Sequence, residues 1–309
     1  MTEPTTPATH AKPEAQARES GAVQSRKNAP MANTSTGTTL RSLFRLGKHY
    51  LKSRRDDNSH AGEYSYLKTL INRLNLTNGY VVDIAASDGV SQSSTLGFFR
   101  DPEWKGLAVE MDPVKFSKLA FIYANFPSAK LARGRVTPNN VSSILHGFEV
   151  PIDFTLLNLD IDSYDLYVMD QLLKAGFRPK IISMEINEKI PPPIYFTVEY
   201  DDNHYWKEDH FYGCSLTAAS ETVKPFGYKL ESLQYNNAIF IHVDACAGLI
   251  DDVDVETAYN AGYRNQPSRK KLFPWNSNVE CLLECSPKEG IDFLSNFFAS
   301  YRGQFTLRC

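Results

Sequence analysis

The segment YVVDIAASDG, residues 80–89, begins as an apolar run and continues into small residues, two acids and one glycine. An apolar run with β-branched residues predicts a buried strand, and the small residues after it allow the backbone to approach a ligand closely. A second run of this kind, GLAVE, follows at residues 106–110 after one predicted helix. Together they predict a βαβ unit with two parallel strands.

The alternation of strand and helix continues on both sides of this unit. Further strands are predicted at residues 129–135, 154–159, 180–186, 228–234 and 238–243. Helices are predicted at residues 64–74, 93–100, 113–126, 141–145, 165–175 and 215–226. The last two strands are joined by a tight turn at Asn236-Asn237, which predicts a hairpin. We therefore predict an α/β fold, Rossmann-like and doubly wound, with a mostly parallel seven-stranded sheet whose last strand is antiparallel.

Composition divides the 309-residue chain into four parts. Residues 1–39 are rich in Thr, Pro, Ala, Ser and Asn, which predicts a disordered polar tail. Residues 40–60 predict a basic amphipathic helix and a linker. We expect this helix to dock on the domain or on a partner chain, and a weak contact of residues 40–55 with a membrane surface is the alternative. Residues 61–244 form the predicted α/β domain, and residues 245–309 a C-terminal extension.

Overall composition excludes several classes of protein. With 42% apolar and 22% charged residues the chain is globular, and a net charge of −3 gives no strong field for nucleic acid. No apolar run reaches the length of a transmembrane helix, and we find no apolar core of a signal peptide. Cys281 and Cys285 have no second pair to complete a zinc site, so the five cysteines are interpreted as free thiols. These features predict a cytoplasmic protein.

The loops after the first two strands predict where a cofactor binds. In an open parallel sheet, ligands bind beyond the carboxyl ends of the strands. The first loop contains Asp83 and Asp88 and lacks G-x-G-x-x-G, and its carboxylates would repel a pyrophosphate, so NAD and FAD are disfavoured. Glu110 ends the second strand, where a carboxylate grips the hydroxyls of a ribose. A cofactor with a positive centre, a ribose and no phosphate fits these residues, and S-adenosylmethionine is such a cofactor.

Polar side chains also follow the fourth and fifth strands. They are Asp160, Asp162, Asp165, Glu185 and Asn187. Because adjacent parallel strands end at the same edge of a sheet, we expect all of them except Asp165 to meet in one cleft. Such a cluster can hold Mg²⁺ or a similar cation, grip sugar hydroxyls, or supply a general base. We expect one of the acids only to support the following helix, for which Asp162 or Ser163 is the predicted N-cap.

A long aromatic loop, Tyr195–Tyr212, follows the fifth strand. Its position beside the expected cleft predicts a lid over the substrate. The loop contains two histidines, His204 and His210, and both are candidate general bases. We expect His210 to serve as a base and His204 to be polar surface.

Residues 80–243 resemble the FkbM-like branch of the class I S-adenosylmethionine-dependent methyltransferases. The resemblance rests on VVDIAASDG, on GLAVEMDP, on LLNLDIDSYDLYVMDQLL with KIISMEINEKIPPP, and on FYGCSLTAASETVKPFGYKLESLQYNNAIFIHVD. The second half is the more specific, because D-I-D-x-x-D followed by E-x-N and a proline run is not a general feature of the fold. Members of this family are associated with O-methylation, often of sugars in glycans or natural products.

The resemblance implies roles for individual residues. The side that binds the methionine and ribose of the cofactor would be lined by Asp83, Ala85, Ser87, Asp88 and Gly89. Glu110 would bind the ribose hydroxyls, Met111 would lie against the adenine, and Asp160 and Asp162 would face the substrate. Relatives have glycine at the positions of Ala85 and Ser163. Here a methyl group narrows the cofactor pocket, and a non-glycine residue must take the turn after Asp162.

The residues and the resemblance together predict an O-methyltransferase that acts on a hydroxyl group of a small molecule or glycan, with a sugar as the favoured acceptor. The predicted catalytic residues are Asp160, Asp162, Glu185 and His210. The first three also form the predicted Mg²⁺ site. A non-catalytic methyltransferase-like binding module is the alternative, and the departures at Ala85 and Ser163 favour it. A nucleotide-sugar oxidoreductase is disfavoured by the missing glycine motif.

Overall fold

The structure is a computed structural model that describes residues 46–246 and 248–309. The strands of its main sheet are β1 (Tyr80–Ile84), β2 (Lys105–Glu110), β3 (Ala129–Arg133), β4 (Leu156–Leu159), β5 (Ile181–Glu185), β7 (Tyr228–Gln234) and β8 (Asn237–His242). They are arranged in the order β3-β2-β1-β4-β5-β8-β7. The first five strands are mutually parallel, and β8 is antiparallel to both β5 and β7. The predicted seven-stranded α/β fold is confirmed.

Helices connect the strands and continue after the sheet. Those within the α/β domain are α1 (Glu63–Arg73), α2 (Leu96–Arg100), α3 (Pro113–Tyr123), α4 (Val141–Gly147), α5 (Asp165–Lys174) and α6 (Leu216–Val223). Those that follow are α7 (Val243–Cys246), α8 (Val255–Tyr259), α9 (Arg269–Leu272) and α10 (Pro287–Phe297). Short 3₁₀ segments and one π-helical turn lie at Lys224–Phe226, Pro274–Leu283, Ala299–Tyr301 and Asn260–Arg264. The predicted helices between the strands differ from these bounds by a few residues at their ends.

Side chains on the central strand alternate between two hydrophobic cores, one on each face of the sheet. Val81 is fully buried in a cluster with Leu67 of α1. Its neighbour Val82 is fully buried in the other cluster, with Leu172 of α5. Successive side chains of a strand point to opposite faces, so a run that is apolar at every position requires helices on both sides. This is the doubly wound arrangement that the sequence predicts.

The order of the strands determines where a ligand can bind. β1 pairs with β2 on one side and with β4 on the other. The chain therefore builds outward from β1 to β3 and then returns across the sheet to β4, which makes a topological switch point between β1 and β4. The loops after these strands separate there, and open α/β sheets bind their ligands in the crevice that results.

A small second sheet corrects the prediction of a continuous lid at residues 195–212. Residues 195–198 form a strand, β6 (Tyr195–Val198), which pairs antiparallel with β9 (Phe305–Arg308). Phe196 and Val198 are fully buried in a third cluster with residues of α10. Local pattern could not reveal β6, because its partner strand lies more than a hundred residues further along the chain.

The segments on either side of the α/β domain pack against it. Residues 46–52 are helical. The first residues of the predicted basic helix, 40–45, lie outside the described residues, as does the predicted polar tail 1–39. After residue 244, Tyr259, Tyr263 and Phe273 are buried in the same core cluster as the sheet. Within the described part of the chain, none of the helices has the length and apolar character needed to cross a membrane.

Candidate functional site

A cleft of about 700 Å³ opens at the carboxyl ends of β1, β2, β4 and β5. This volume is within the range of small-molecule sites. Its lining includes Asp83, Ala85, Ser87, Glu110, Met111, Asp160, Asp162 and Glu185, all of which the sequence predicts as site residues. It also includes Arg135, His204, Tyr205, Trp206 and Trp275 around the opening. The cleft lies at the topological switch point of the sheet.

The loop after β1 turns sharply through left-handed residues. Ala85 has φ 68° and Ser87 has φ 52°. The N–H groups of Ala85 and Ala86 both donate to the carbonyl of Val109 in β2, at 2.9 Å each. A non-glycine residue in this region costs about 1–2 kcal/mol, so the conformation persists only because these bonds hold it. The resemblance implies glycine at the position of Ala85. The positive φ of Ala85 explains why glycine is preferred there.

Glu110 at the end of β2 is held from two directions. Its Oε2 accepts a hydrogen bond from the N–H of Ser87 at 2.8 Å, and its Oε1 accepts one from the N–H of Asp112 at 2.7 Å. The side chain is only 5% exposed. A carboxylate has about four acceptor positions, so two remain for the hydroxyls of a ligand. Met111, half exposed, lies beside it on the cleft wall.

Asp83 lies within β1 and links two strands. Its Oδ2 accepts from the Thr95 hydroxyl at 2.6 Å, and its Oδ1 accepts from Nδ2 of Asn158 in β4 at 2.9 Å. Burial raises the pKa of Asp83, and these hydrogen bonds partly offset the increase. The residue borders the cleft, and its bonds fix the separation of β1 and β4 at the switch point.

Two residues that the resemblance assigns to the cofactor do not line the cleft. The carboxylate of Asp88 accepts from the N–H groups of Val90 and Ser91, at 3.0 and 2.7 Å, so it supports the loop instead. Gly89 has φ 74°, and a Cβ there would come within 2.5 Å of Cδ1 of Leu119 on α3. The contact of Asp88 and Gly89 with a cofactor stays a prediction, and the lining of the cleft does not support it.

Across the switch point, three carboxyl groups converge. Asp160 and Asp162 follow β4, Glu185 ends β5, and one oxygen of each lies within 4.8 Å of the other two. Burial, followed by repulsion from neighbouring carboxylates, raises the pKa of Asp160 and of Glu185 well above the usual range. Burial also raises the pKa of Asp162. The cluster therefore retains protons, or requires a cation, at a pH where exposed acids are ionised.

The two carboxylate oxygens of Glu185 differ in their hydrogen bonds. Its Oε1 accepts from Nδ2 of Asn236, in the turn between β7 and β8, at 2.7 Å. Its Oε2 is buried and has no hydrogen-bond partner. A buried carboxylate oxygen without a donor is costly. Either a proton shared with Asp160 or a bound cation would satisfy it, and three carboxylates are the hard oxygen ligands that Mg²⁺ prefers.

The loop between β4 and α5 is held by Asp165, which corrects the predicted cap. Its carboxylate accepts from the N–H of Ile161 at 2.7 Å and of Ser163 at 3.0 Å. Burial raises the pKa of Asp165 to about 6. The N-cap position is Tyr164, without a side-chain cap, so neither Asp162 nor Ser163 caps the helix. The expectation that one of the acids has a supporting role is met by Asp165.

The strained turn at this loop also lies one residue earlier than the resemblance suggests. Asp162, not Ser163, has the positive φ, at 53°. The turn points Asp162 into the cleft. Asn187 is predicted to join Asp162 there, but it does not line the cleft. Asn187 is fully buried, and its Nδ2 donates to the carbonyls of His210 and Tyr212 at 2.9 Å each. It anchors the loop after β5 instead of facing a ligand.

The placement expected of the two histidines is reversed. His204 lines the cleft, and its Nδ1 lies 2.5 Å from Oγ of Ser163. Burial lowers the pKa of His204, so its ring is neutral at pH 7. His210 is absent from the cleft wall, because its Nε2 bonds Oδ1 of Asn278 at 3.0 Å and its ring packs on Phe297. Both partners come from residues after 244, which a local pattern does not reveal.

Aromatic side chains form the rim of the cleft. Tyr205, Trp206 and Trp275 are 54%, 42% and 54% exposed. The guanidinium of Arg135 lies 4.8 Å from the ring centroid of Tyr205 and donates to the carbonyls of Asp202 and His204. The sequence signal for Arg135 is its position two residues after the end of β3. Trp275 has no such signal, because it reaches the cleft from the C-terminal segment.

Comparisons with known proteins give only distant similarities. No family model matches this chain, and no curated protein sequence matches it. The N-terminal domain of EvdMO1, in the presence of SAH and D-fucose, is similar at 8% identity over 61% of this chain and 84% of that chain, with a TM-score of 0.39. An S-adenosylmethionine-dependent methyltransferase from Clostridium acetobutylicum is similar at 11% identity over 66% of this chain and 99% of that chain, with a TM-score of 0.38. A TehB-like methyltransferase from Corynebacterium glutamicum is similar at 13% identity over 67% and 100%, with a TM-score of 0.34. Similarities this distant support no conclusion about activity or substrate.

Proposed function

We propose that this chain is an S-adenosylmethionine-dependent O-methyltransferase that acts on a hydroxyl group, with a sugar of a glycan or natural product as the favoured acceptor. One observation carries the proposal. The fixed carboxylate of Glu110 and the carboxylate cluster of Asp160, Asp162 and Glu185 face one cleft from opposite sides of β1. The first suits a ribose, and the second suits a reacting hydroxyl.

The cofactor side of the cleft fits an adenosine attached to a cationic centre. S-adenosylmethionine, when bound, would supply a methyl group bonded to its sulfonium sulfur, for in-line transfer to the acceptor oxygen as the S–CH3 bond breaks and S-adenosylhomocysteine leaves. Glu110 would hold the ribose hydroxyls and Met111 would lie against the adenine. The left-handed turn at Ala85 and Ser87 brings the backbone close to the cleft, as a bound nucleoside requires. The acids near this loop favour a positive sulfur over a pyrophosphate.

The carboxylate cluster fits the acceptor side. Asp160, Asp162 and Glu185 would hold a divalent cation such as Mg²⁺, and the orphan Oε2 of Glu185 is the observation that supports it. A cation bound there lowers the pKa of a hydroxyl that it contacts. His204, neutral at pH 7 and held beside Ser163, is placed to accept the hydroxyl proton. We assign His204 this role in place of His210.

The rim supports a flat or ring-shaped acceptor. Exposed aromatic side chains at the mouth of a pocket offer apolar faces with few conformations to lose on binding. Tyr205, Trp206 and Trp275 supply such faces, and the acids behind them can accept bonds from hydroxyl groups. Both features suit a sugar. They are also consistent with an FkbM-like methyltransferase, the family that the motifs around Asp160 and Glu185 resemble.

A non-catalytic binding module is the second candidate function. It is favoured by the two backbone hydrogen bonds that Glu110 already accepts, and by the Cβ of Ala85 in the cofactor turn. Such a module would bind glycans at the aromatic rim without binding the cofactor.

Titration calorimetry with S-adenosylmethionine, S-adenosylhomocysteine and NAD⁺, each with and without Mg²⁺, separates these functions. The proposal expects both adenosyl compounds to bind one site per chain and NAD⁺ not to bind. Binding of NAD⁺ alone, or binding of none of the three, would overturn it.

A further inference from the structure

The segment before α1 crosses the loop that follows β1. We call residues 49–60 the N-terminal strap. At its start, Nε2 of His49 lies 3.0 Å from the carbonyl oxygen of Asp88. At its end, Ser59 forms a parallel β-bridge with Gln92. Both contacts fall on the β1–α2 loop, and Gln92 lines the cleft, so the end of the strap borders the cleft.

Hydrogen bonds to the end of α2 and to the first turn of α1 also hold the strap. Nη1 of Arg100, at the end of α2, donates to the carbonyls of Ser53 and Arg55, at 3.0 and 2.8 Å. The carboxylate of Asp57 accepts from the N–H groups of Ser59 and Ser65, at 2.9 and 3.1 Å. The second of these bonds ties the strap to the first turn of α1. The end of the strap is therefore held in position before any ligand binds.

His60, the last residue of the strap, contributes its ring to the cleft. The Gln92 side-chain nitrogen faces Nδ1 of this ring at 3.2 Å, so Nδ1 accepts and a neutral ring carries its proton on Nε2. Nε2 is buried and has no hydrogen-bond partner among the described residues. The ring packs edge-on against Phe273, with centroids 5.6 Å apart, which fixes its direction. A buried donor without an acceptor at a cleft wall indicates a ligand acceptor.

The position of His60 limits which part of the cofactor it can meet. The other basic side chains that the structure describes on the cleft wall lie elsewhere: Lys115 follows β2, Arg135 follows β3, and His204 contacts the loop after β4. His60 contacts the β1–α2 loop through the side chain of Gln92. With the ribose at Glu110, the proposed cofactor would extend its amino-acid part along this loop. Its carboxylate then needs a donor there.

We propose that Nε2 of His60 donates a hydrogen bond to the carboxylate of the methionine portion of S-adenosylmethionine, so that the N-terminal strap completes the cofactor site. This inference rests on the proposed function.

The test compares S-adenosylmethionine with decarboxylated S-adenosylmethionine, which keeps the adenosine, sulfonium and ammonium groups. His60→Phe retains a ring against Phe273 and removes the donor. We expect it to weaken the binding of S-adenosylmethionine by about tenfold or more and to leave binding of the decarboxylated compound unchanged. His60→Gln, which carries an amide donor, should recover part of the loss. His146→Phe, at an exposed histidine of α4, is the control and should change neither affinity.

The outcomes distinguish this inference from the proposed function. If the wild-type protein binds neither compound, the proposed function fails. If it binds both with equal affinity, or if His60→Phe weakens both equally or neither, the proposed function stands and the role of His60 is refuted. The wild-type comparison does not depend on any variant folding.

Discussion

The backbone N–H of Ser87 donates to Oε2 of Glu110 at 2.8 Å, and this bond joins the loop after β1 to the end of β2. It keeps Ser87 in a left-handed conformation and turns the carboxylate toward the cleft. The cofactor wall is therefore formed by a loop and a strand end that fix each other.

Replacing Ala85 by glycine should stabilise the protein. Ala85 has φ 68°, a conformation that costs a residue with a Cβ about 1–2 kcal/mol. Glycine removes this strain, and the greater entropy that it gives the unfolded chain offsets only part of the gain in stability. We expect the melting temperature to rise by about 1–3 °C. Ala86→Gly, at the buried neighbour, is the matched control and should lower the melting temperature. A lower melting temperature for Ala85→Gly would show that the turn is not strained.

Glu185→Gln should stabilise the metal-free protein at high pH. Burial and repulsion raise the pKa of Glu185 in the folded state, so the folded protein binds more protons than the unfolded chain and its stability falls as pH rises through that window. The glutamine removes this loss. We expect urea unfolding in a chelator to show the variant more stable by about 1–3 kcal/mol at pH 8, with a smaller difference at pH 5. Equal stability of the two proteins at both pH values would contradict the buried cluster.

Mg²⁺ should stabilise the wild-type protein through the same cluster. At a Mg²⁺ concentration one hundred times its Kd, the free energy of unfolding rises by about 2.7 kcal/mol. Asp162→Asn keeps a residue that tolerates the left-handed turn but removes one ligand, so the Mg²⁺-dependent shift in melting temperature should disappear. Asp153→Asn, at an exposed acid, should retain the full shift. No shift for wild type, or the same shift in Asp162→Asn, would remove the metal from the account.

His204→Gln should lower kcat by about a hundredfold, because the variant lacks the group that accepts the hydroxyl proton. His210→Gln should leave kcat unchanged, since His210 faces Asn278 instead of the cleft. Burial lowers the pKa of His204 from 6.5, so the acid limb of the wild-type pH profile should lie below pH 6.5 and be lost in His204→Gln. Transfer of a labelled methyl group to a panel of glycosides measures both kcat and its pH profile. An equal loss in the two variants would reject the assignment.

Sequence pattern predicts the parts of the fold that depend on local composition. Each strand that borders the cleft is an apolar run, because both of its faces are buried, as at Val81 and Val82. Such runs can be located in the sequence alone. The carboxylates at the ends of β2, β4 and β5 are predictable for the same reason, because they directly follow those runs. Asp160, Asp162 and Glu185 meet as expected.

The remaining features depend on contacts between distant parts of the chain. Local sequence pattern does not reveal β6, because β9 supplies its partner. His210 turns away from the cleft because Asn278 and Phe297 hold it. Gly89 resembles a cofactor-binding glycine in sequence, yet it does not line the cleft, and it packs closely against Leu119. These contacts have no signature within a short window of sequence.

The most direct test of the account is a calorimetric titration of S-adenosylhomocysteine into the wild-type protein and into Glu110→Ala, with Glu103→Ala as an exposed control. The wild-type and control proteins should bind one equivalent with the same affinity. Glu110→Ala should bind at least about thirtyfold more weakly, because it loses a charge-assisted contact to the ribose and the anchor of Ser87, while circular dichroism shows it folded. Unchanged affinity in Glu110→Ala, or no binding to the wild-type protein, would contradict the account.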